Sequence, residues 1–284
     1  MNSFNKKIWL ISGTSSGIGL SLVQKILDIE NSVVALTRSP EDLKKQLNIK
    51  NSLNLLIIKT DLNEESNVKE AVELAIKTFG RIDVVVNNAG YGYLTSFEEC
   101  SLKEYKELFN INFFGYLNII HSTLPYMRKQ ENKGLILNMS SNLGSLVVFP
   151  GFTPYISSKF AINGFTQSLD LELKTCGIRA VILSPGAFRT KLLNKNHIKI
   201  GTNEIKDYKI IEETSEMFRN YNENQPGDPD KLANAIIEIS NRDRMSLPSN
   251  IFFGTDAYTT MKNQIEKLIN ELESNKNLSV STDY

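Results

Sequence analysis

The stretch Ile8-Trp-Leu-Ile-Ser12 is apolar up to its last residue and runs straight into Gly13-Thr-Ser15-Ser16-Gly17-Ile18-Gly19. Leu20, Leu22, Val23, Ile26 and Leu27 then take up helical spacing. A short apolar run without alternation suits a strand buried on both faces of a parallel sheet. Strand, glycine turn, helix is also the order in which glycines carry meaning. Gly13 permits the sharp turn, while Gly17 and Gly19 let backbone and helix approach a diphosphate seated on the free amides of the helix N-terminus. Three residues separate the first two glycines and one precedes the third, a departure from G-x-G-x-x-G.

The alternation then continues. Further strands are predicted over Ser32–Thr37, Leu53–Lys59, Ile82–Val86, Gly134–Met139, Ile178–Leu183 and Ile251–Phe253. Between them, helices are predicted after Pro40, over Val68–Phe79 and Leu102–Arg128 (interrupted near its end by Pro125), from Tyr155 to about Lys174, and over Pro229–Ser240 and Tyr258–Leu272. Seven strands in this order predict an α/β fold: one Rossmann-type domain over residues 1–284, its doubly wound parallel sheet covered by helices on both faces. The polar insertion around 187–225 reads as a lid over a substrate, and 273–284 as a polar, frayed end.

Charge narrows the partners. Lys+Arg and Asp+Glu are equal at 32 each, so no basic field is available for nucleic acid or an anionic membrane. Cys100 and Cys176, like His121 and His197, show no metal-ligand spacing, which points to a reduced, cytoplasmic protein without a metal site. No apolar run approaches the roughly 18 residues of a membrane span.

Residues with chemistry gather at predicted strand ends. After the second strand, Arg38 stands where an NAD site would usually offer an acid; between Thr37 and Ser39 it suits a 2′-phosphate, or is simply exposed. Asp61-Leu62 offers a carboxylate and an amide to an adenine, or an N-cap to the next helix. Asn87-Asn88-Ala89-Gly90 allows close approach of a ligand, and Ser140-Ser141 ends the fifth strand. Asn112, in an apolar helix, needs partners and reads equally as a satisfied core amide. Tyr155 and Lys159 stand four apart, about 5 to 6 Å between Cβ atoms on a helix. An ammonium there is expected to pull a phenol down from its usual pKa of about 10.

Taken together and in order, Gly13-x-x-x-Gly17-x-Gly19, Asp61, Asn87-Asn88-Ala89-Gly90, Asn112, Ser141, Tyr155-x-x-x-Lys159 and Pro185-Gly186 through Thr190 resemble the short-chain dehydrogenase/reductase family from Lys7 to about Leu272. Thr37-Arg38 and Gly254-Thr-Asp-Ala257 are similar to NADP-preferring members related to hydroxysteroid and retinol dehydrogenases. The resemblance implies NADP(H), with NAD(H) second, and a small-molecule carbonyl or alcohol substrate. It implies Tyr155 as general acid/base, Lys159 as its neighbour on the nicotinamide ribose, Ser141 on the substrate oxygen, Asn112 in a proton relay and Thr190 on the carboxamide. It also implies a homodimer or homotetramer packed through the Asn112 and Tyr155 helices. Phe149, Phe188, Leu192, Leu193, Met217 and Phe218 are placed at the edge of an apolar crevice. A dinucleotide-binding sensor or scaffold without turnover is the alternative reading.

Overall fold

Successive strand residues point to opposite faces, so a strand that is apolar throughout must be covered on both sides. The computed structural model, which describes residues 6–48, 52–190, 198–201 and 205–284, meets that demand. In chain order the elements are β1 (Ile8–Ser12), α1 (Gly17–Asp28), β2 (Ser32–Thr37), α2 (Pro40–Leu47), β3 (Leu55–Lys59), α3 (Glu65–Phe79), β4 (Val84–Asn87) and β5 (Gly92–Leu94). There follow α4 (Leu102–Phe109), a π-helical segment Asn110–Phe114, α5 (Gly115–Lys129), β6 (Leu135–Met139), α6 (Thr153–Lys174), β7 (Arg179–Pro185) and β8 (Ile198–Ile200). Last come α7 (Lys209–Tyr221), α8 (Pro229–Asn241), β9 (Asn250–Phe253), α9 (Thr255–Ser274) and α10 (Lys276–Val280).

The main sheet has seven strands in the order β3-β2-β1-β4-β6-β7-β9, every pair parallel. On one face, Trp9, Ile11, Val33, Ala35, Val84 and Val86 pack against Leu22, Val23 and Ile26 of α1 and Leu232, Ala233 and Ile236 of α8. On the other, Ile8, Leu10, Val34, Leu36, Val85 and Ile136 meet Val68, Val72 and Ala75 of α3 and Ile119 and Ile120 of α5. Each Val, Leu or Ile among them contributes about 1.5–3 kcal/mol on leaving water. Strand order reverses between β1 and β4, which leaves a crevice at their carboxyl ends, the place where such sheets bind ligands.

Several boundaries differ from the sequence expectation. β3 begins at Leu55, because Leu53 lies in solvent at 98% exposure. β4 begins at Val84, the Ile82 amide being turned to the Gln130 side chain instead of a strand. Pro125 does not interrupt α5: Pro125 and His121, whose carbonyl loses its donor, both face solvent. The π-helical segment and the two-stranded β5–β8 sheet were not expected. The end of the chain is helical in α10, there being no Gly or Pro after Gly254 to stop backbone bonds such as Ser279 N–H to Asn275 O from closing. No helix among the described residues is long and apolar enough to cross a membrane.

The lower half of α6 is fixed to β7 by a buried ion pair. Arg179 donates to Asp170 through Nε at 2.7 Å and Nη2 at 3.1 Å, and also to the carbonyls of Arg244, Met245 and Leu247. Burial alone would raise the Asp170 carboxyl; Arg179, the Ala180 amide and Lys174 outweigh it and hold the group below its ordinary value. A carboxyl depressed by folding stabilises above its unfolded pKa of about 3.9, and that stabilisation is lost as pH falls through the folded value. Asp170→Asn is therefore expected to cost about 3–5 kcal/mol at pH 7, since it leaves Arg179 buried and unpaired. Denaturant midpoints of wild type and variant should draw together as pH falls below about 4 and meet only below the depressed folded value.

Candidate active site

Two loops meet at the reversal point. Ser12 Oγ accepts from the backbone amides of Asn88 (3.0 Å) and Ala89 (3.2 Å), and Asn88 Nδ2 donates to the carbonyls of Ser12 (3.1 Å) and Gly13 (3.0 Å). These bonds lock the turn after β1 to the loop after β4. The contact leaves no room for side chains: a Cβ on Gly13, whose φ is +68°, would lie 2.6 Å from Ala89 Cα. A Cβ on Gly19 would lie 2.3 Å from the Gly13 carbonyl oxygen. Gly19 thus serves the packing of α1 on its own turn. Gly17, at φ +55°, instead faces Thr190 across the crevice, its missing Cβ 3.2 Å from Thr190 Cβ.

Nothing caps the start of α1, for Ser16 makes no side-chain capping bond and no acid lies in the first turn. Its first amides are without intrahelical partners, and the turn that carries them passes close to Thr190 at Gly17, an arrangement suited to a diphosphate. Ser15 lies on the same turn, its carbonyl bound by Gln46, while Ile18 packs into the core behind it. Arg38 is exposed just beyond β2, whose Leu36 pairs with Ser12, and makes no hydrogen bond or ion pair among the described residues. The set fits a dinucleotide.

Asp61 sits at the end of β3, its carboxylate accepting from Asn63 N–H at 3.0 Å and its own amide donating to Asn67. It is not the N-cap of α3, because the turn it makes delays the helix until Glu65, behind Glu64. Leu62 is buried and its carbonyl accepts from Asn118. Pro185 ends β7 and Gly186 follows it at the crevice. Leu192 and Leu193 lie outside the described residues.

Helix α6 carries Tyr155 and Lys159 into the crevice. Lys159 Nζ stands 5.7 Å from the Tyr155 ring centroid, and a Cβ on Gly90 would lie 3.8 Å from it. It donates to the Met139 carbonyl at 2.8 Å, which Tyr116 Oη also reaches at 3.1 Å. The Ser141 side chain lies beside the Tyr155 phenol and favours its ionised form, while its Oγ donates to Asn142 Oδ1 at 3.1 Å. Ser140 turns away, donating to the Lys159 carbonyl at 3.4 Å, so of the two serines Ser141 faces the tyrosine. Asn112, wholly buried in the π-helical segment, donates to the Tyr91 carbonyl (3.0 Å) and Ser158 Oγ (3.2 Å) and accepts from Tyr91 N–H (3.1 Å). Its amide therefore ties the loop after Gly90 to α6, as a polar group in an apolar helix requires.

The electrostatics differ from the expectation that Lys159 acidifies Tyr155. Burial is the dominant influence and raises the phenol, and the Ser141 side chain is what opposes it. The same burial brings the Lys159 ammonium down to about 7. Both shifts favour the neutral form of each group. The Met139 carbonyl, the Ser12 hydroxyl and Ser158 were not singled out from sequence. Ser12, directly before the first glycine, was the one with a visible signal.

The aromatic side of the crevice is partly as expected. Phe149 and Phe218 meet edge to face at 5.2 Å between centroids, and Phe152 links Phe218 (4.9 Å) to Tyr155 (6.3 Å). Phe188 instead lies over Gly227 and joins the core beneath α1 and α8, and Met217 faces solvent.

Comparison with known proteins agrees with this geometry. A family model described as short chain dehydrogenase matches residues 7–200. An uncharacterized oxidoreductase of Schizosaccharomyces pombe is 32% identical over 273 residues, covering 96% of this chain and 90% of that protein. The crystal structure of a short-chain dehydrogenase from Streptomyces avermitilis superposes with a TM-score of 0.89 at 28% identity, over 99% of this chain and 100% of that one. A structure of ElxO with NADP bound superposes at TM-score 0.70 and 26% identity, over 87% and 96%.

The depressed lysine yields a pH prediction. In the ligand-free protein, carbon-13 NMR of Lys159 Cε should report a midpoint of about 7. From there to the usual lysine value of about 10.4, the unfolded chain holds a proton that the folded chain has released, so stability should rise with pH. Lys159→Met should flatten that rise between about pH 7 and 10.

Proposed function

This chain belongs to the short chain dehydrogenase family, and from that premise we propose that it is an NADP(H)-dependent oxidoreductase interconverting a carbonyl and a secondary alcohol. The observation that carries the reading is the grouping of Lys159, 5.7 Å from the Tyr155 ring and close to Gly90, with Ser141 beside the phenol. Bound there, the nicotinamide would supply or accept the hydride. Gly13, Ser15, Ser16, Gly17, Ile18 and Gly19 build the turn for its diphosphate, and Arg38 meets a 2′-phosphate with a charge-assisted bond. Asp61 and Leu62 border the adenine, Asn88, Ala89 and Gly90 the riboses, and Pro185, Gly186 and Thr190 the carboxamide. Known NADP-bound ElxO supports the cofactor class.

Tyr155 holds the proton at Oη. Burial favours the protonated phenol, the form that reduction uses, while Ser141 aligns the carbonyl oxygen beside it. Lys159 binds the nicotinamide ribose, and Asn112 fixes the loop and helix through which its proton is relayed. The alternative, a sensor without turnover, has no use for a buried tyrosine and lysine grouped with Ser141.

Phe149, Phe152 and Phe218 beside Tyr155 favour an apolar carbonyl substrate, with the 187–225 region as its lid. We read residues 1–284 as one domain. The two free cysteines suit the reducing cytoplasm. Leu102, Phe114, Phe160 and Leu171 are large, apolar and exposed on the Asn112 and Tyr155 helices, which supports a homodimer or homotetramer joined there.

Tyr155→Phe should lower NADPH-dependent reduction of a panel of apolar ketones and aldehydes by about 10²–10⁴-fold with NADPH binding retained; undiminished turnover would remove the mechanism. Arg38→Ala should weaken NADPH by about 10- to 100-fold and leave NADH unchanged in titrations of both. Light scattering should find twice or four times the 32.0 kDa chain mass.

A further inference from the structure

Asp256 lies in the first turn of α9, where a carboxylate interacts well with the helix dipole. Its side chain reaches back to the neighbouring strand end, Oδ2 accepting from the Ala187 backbone N–H at 2.7 Å. Oδ1 is buried with no hydrogen-bond partner. The carboxylate occupies space left by two glycines: a Cβ on Gly186 would stand 2.3 Å from both oxygens, and one on Gly254 2.5 Å from Oδ1. Gly186 N–H donates to the Phe253 carbonyl at 2.9 Å, so the Asp256 bond acts as a further rung of the β7–β9 ladder, made by a side chain.

From there the chain has little slack. Gly227 N–H donates to the Ala187 carbonyl (3.0 Å), Arg189 N–H to the Gly227 carbonyl (2.8 Å) and Thr190 N–H to the Phe188 carbonyl (2.8 Å). The segment ends with Thr190 against Gly17, at the N-terminus of α1. Tyr221, last residue of α7, has its phenol raised by burial and then by the Asp256 charge.

We propose that Asp256 is a positioning residue for the dinucleotide: by holding Ala187 it sets the gap between Thr190 and the start of α1. This rests on the NADP(H) reading above. The test is fluorescence titration of NADPH into the full chain carrying Asp256→Ala or Asp256→Asn, with thermal unfolding of each. Asp256→Ala should raise Kd about tenfold or more, the loss of one charge-assisted bond. Asp256→Asn should stay within about threefold of wild type, because its oxygen can accept from Ala187 and no bond is lost where Oδ1 had no partner. If Asp256→Ala does not fold, Gly254→Ala, whose methyl meets the same carboxylate at Oδ1, should give the same loss of NADPH affinity. A lowered Tm with unchanged Kd would overturn the inference, as would Asp256→Asn binding as weakly as Asp256→Ala. Wild-type protein that binds neither NADPH nor NADH would overturn it together with the proposed function; the other two results leave that function standing.

Discussion

Four hydrogen bonds between Ser12-Gly13 and Asn88-Ala89 hold the ends of β1 and β4 together, and the site depends on them. A parallel sheet that reverses its strand order leaves a gap at the reversal point. Without cross-links the two loops bounding it would be exposed segments with independent motion. The amide of Asn88 supplies two donors and the hydroxyl of Ser12 accepts two, so a small set of polar atoms makes one rigid floor out of two loops. Everything that reaches into the crevice, from Lys159 to Thr190, is placed relative to that floor.

The second constraint is depth. Tyr155 and Lys159 are carried inward by a helix whose other end is clamped by Arg179 and Asp170. The low dielectric that results works against charge on either group, and it outweighs the attraction between them. The Met139 carbonyl and the Ser141 hydroxyl are the local counterweights, one for each group. The proton chemistry of the pair is thus set by what surrounds it more than by its internal spacing.

Much of this was legible in the residues. Unbroken apolar runs at Ile8–Ile11 and Ala180–Leu183 require burial on two faces, and the sheet follows. Tyr155 and Lys159 share a helix face because four residues make one turn. The direction of their pKa shifts was not legible, since burial depends on Tyr116, Met139 and Ser141, contributed by other elements. Nor was the π-helical segment around Asn112, as apolar periodicity does not mark a change in backbone bonding. The Met139 carbonyl left no trace because every residue has one. The N-cap alternative for Asp61 failed because its carboxylate turns to the Asn63 amide and the helix starts later, and Phe188 packs partly into the core through contacts that its sequence neighbours do not signal.

The small β5–β8 sheet joins the loop after β4 to a segment more than a hundred positions later. Beside its backbone rungs it is held by side chains: Leu94 and Ile198 are buried in one cluster with Ile156 of α6, Tyr155 and Ile200 pack against that cluster, and the Tyr93 hydroxyl donates to Glu104. The small sheet and the proton-bearing helix thus share apolar contacts, and a substitution at Leu94 or Ile198 is felt at Tyr155 unless volume is conserved. A new preference for ligand shape is reached at least risk to the chemistry through exposed positions such as Lys199.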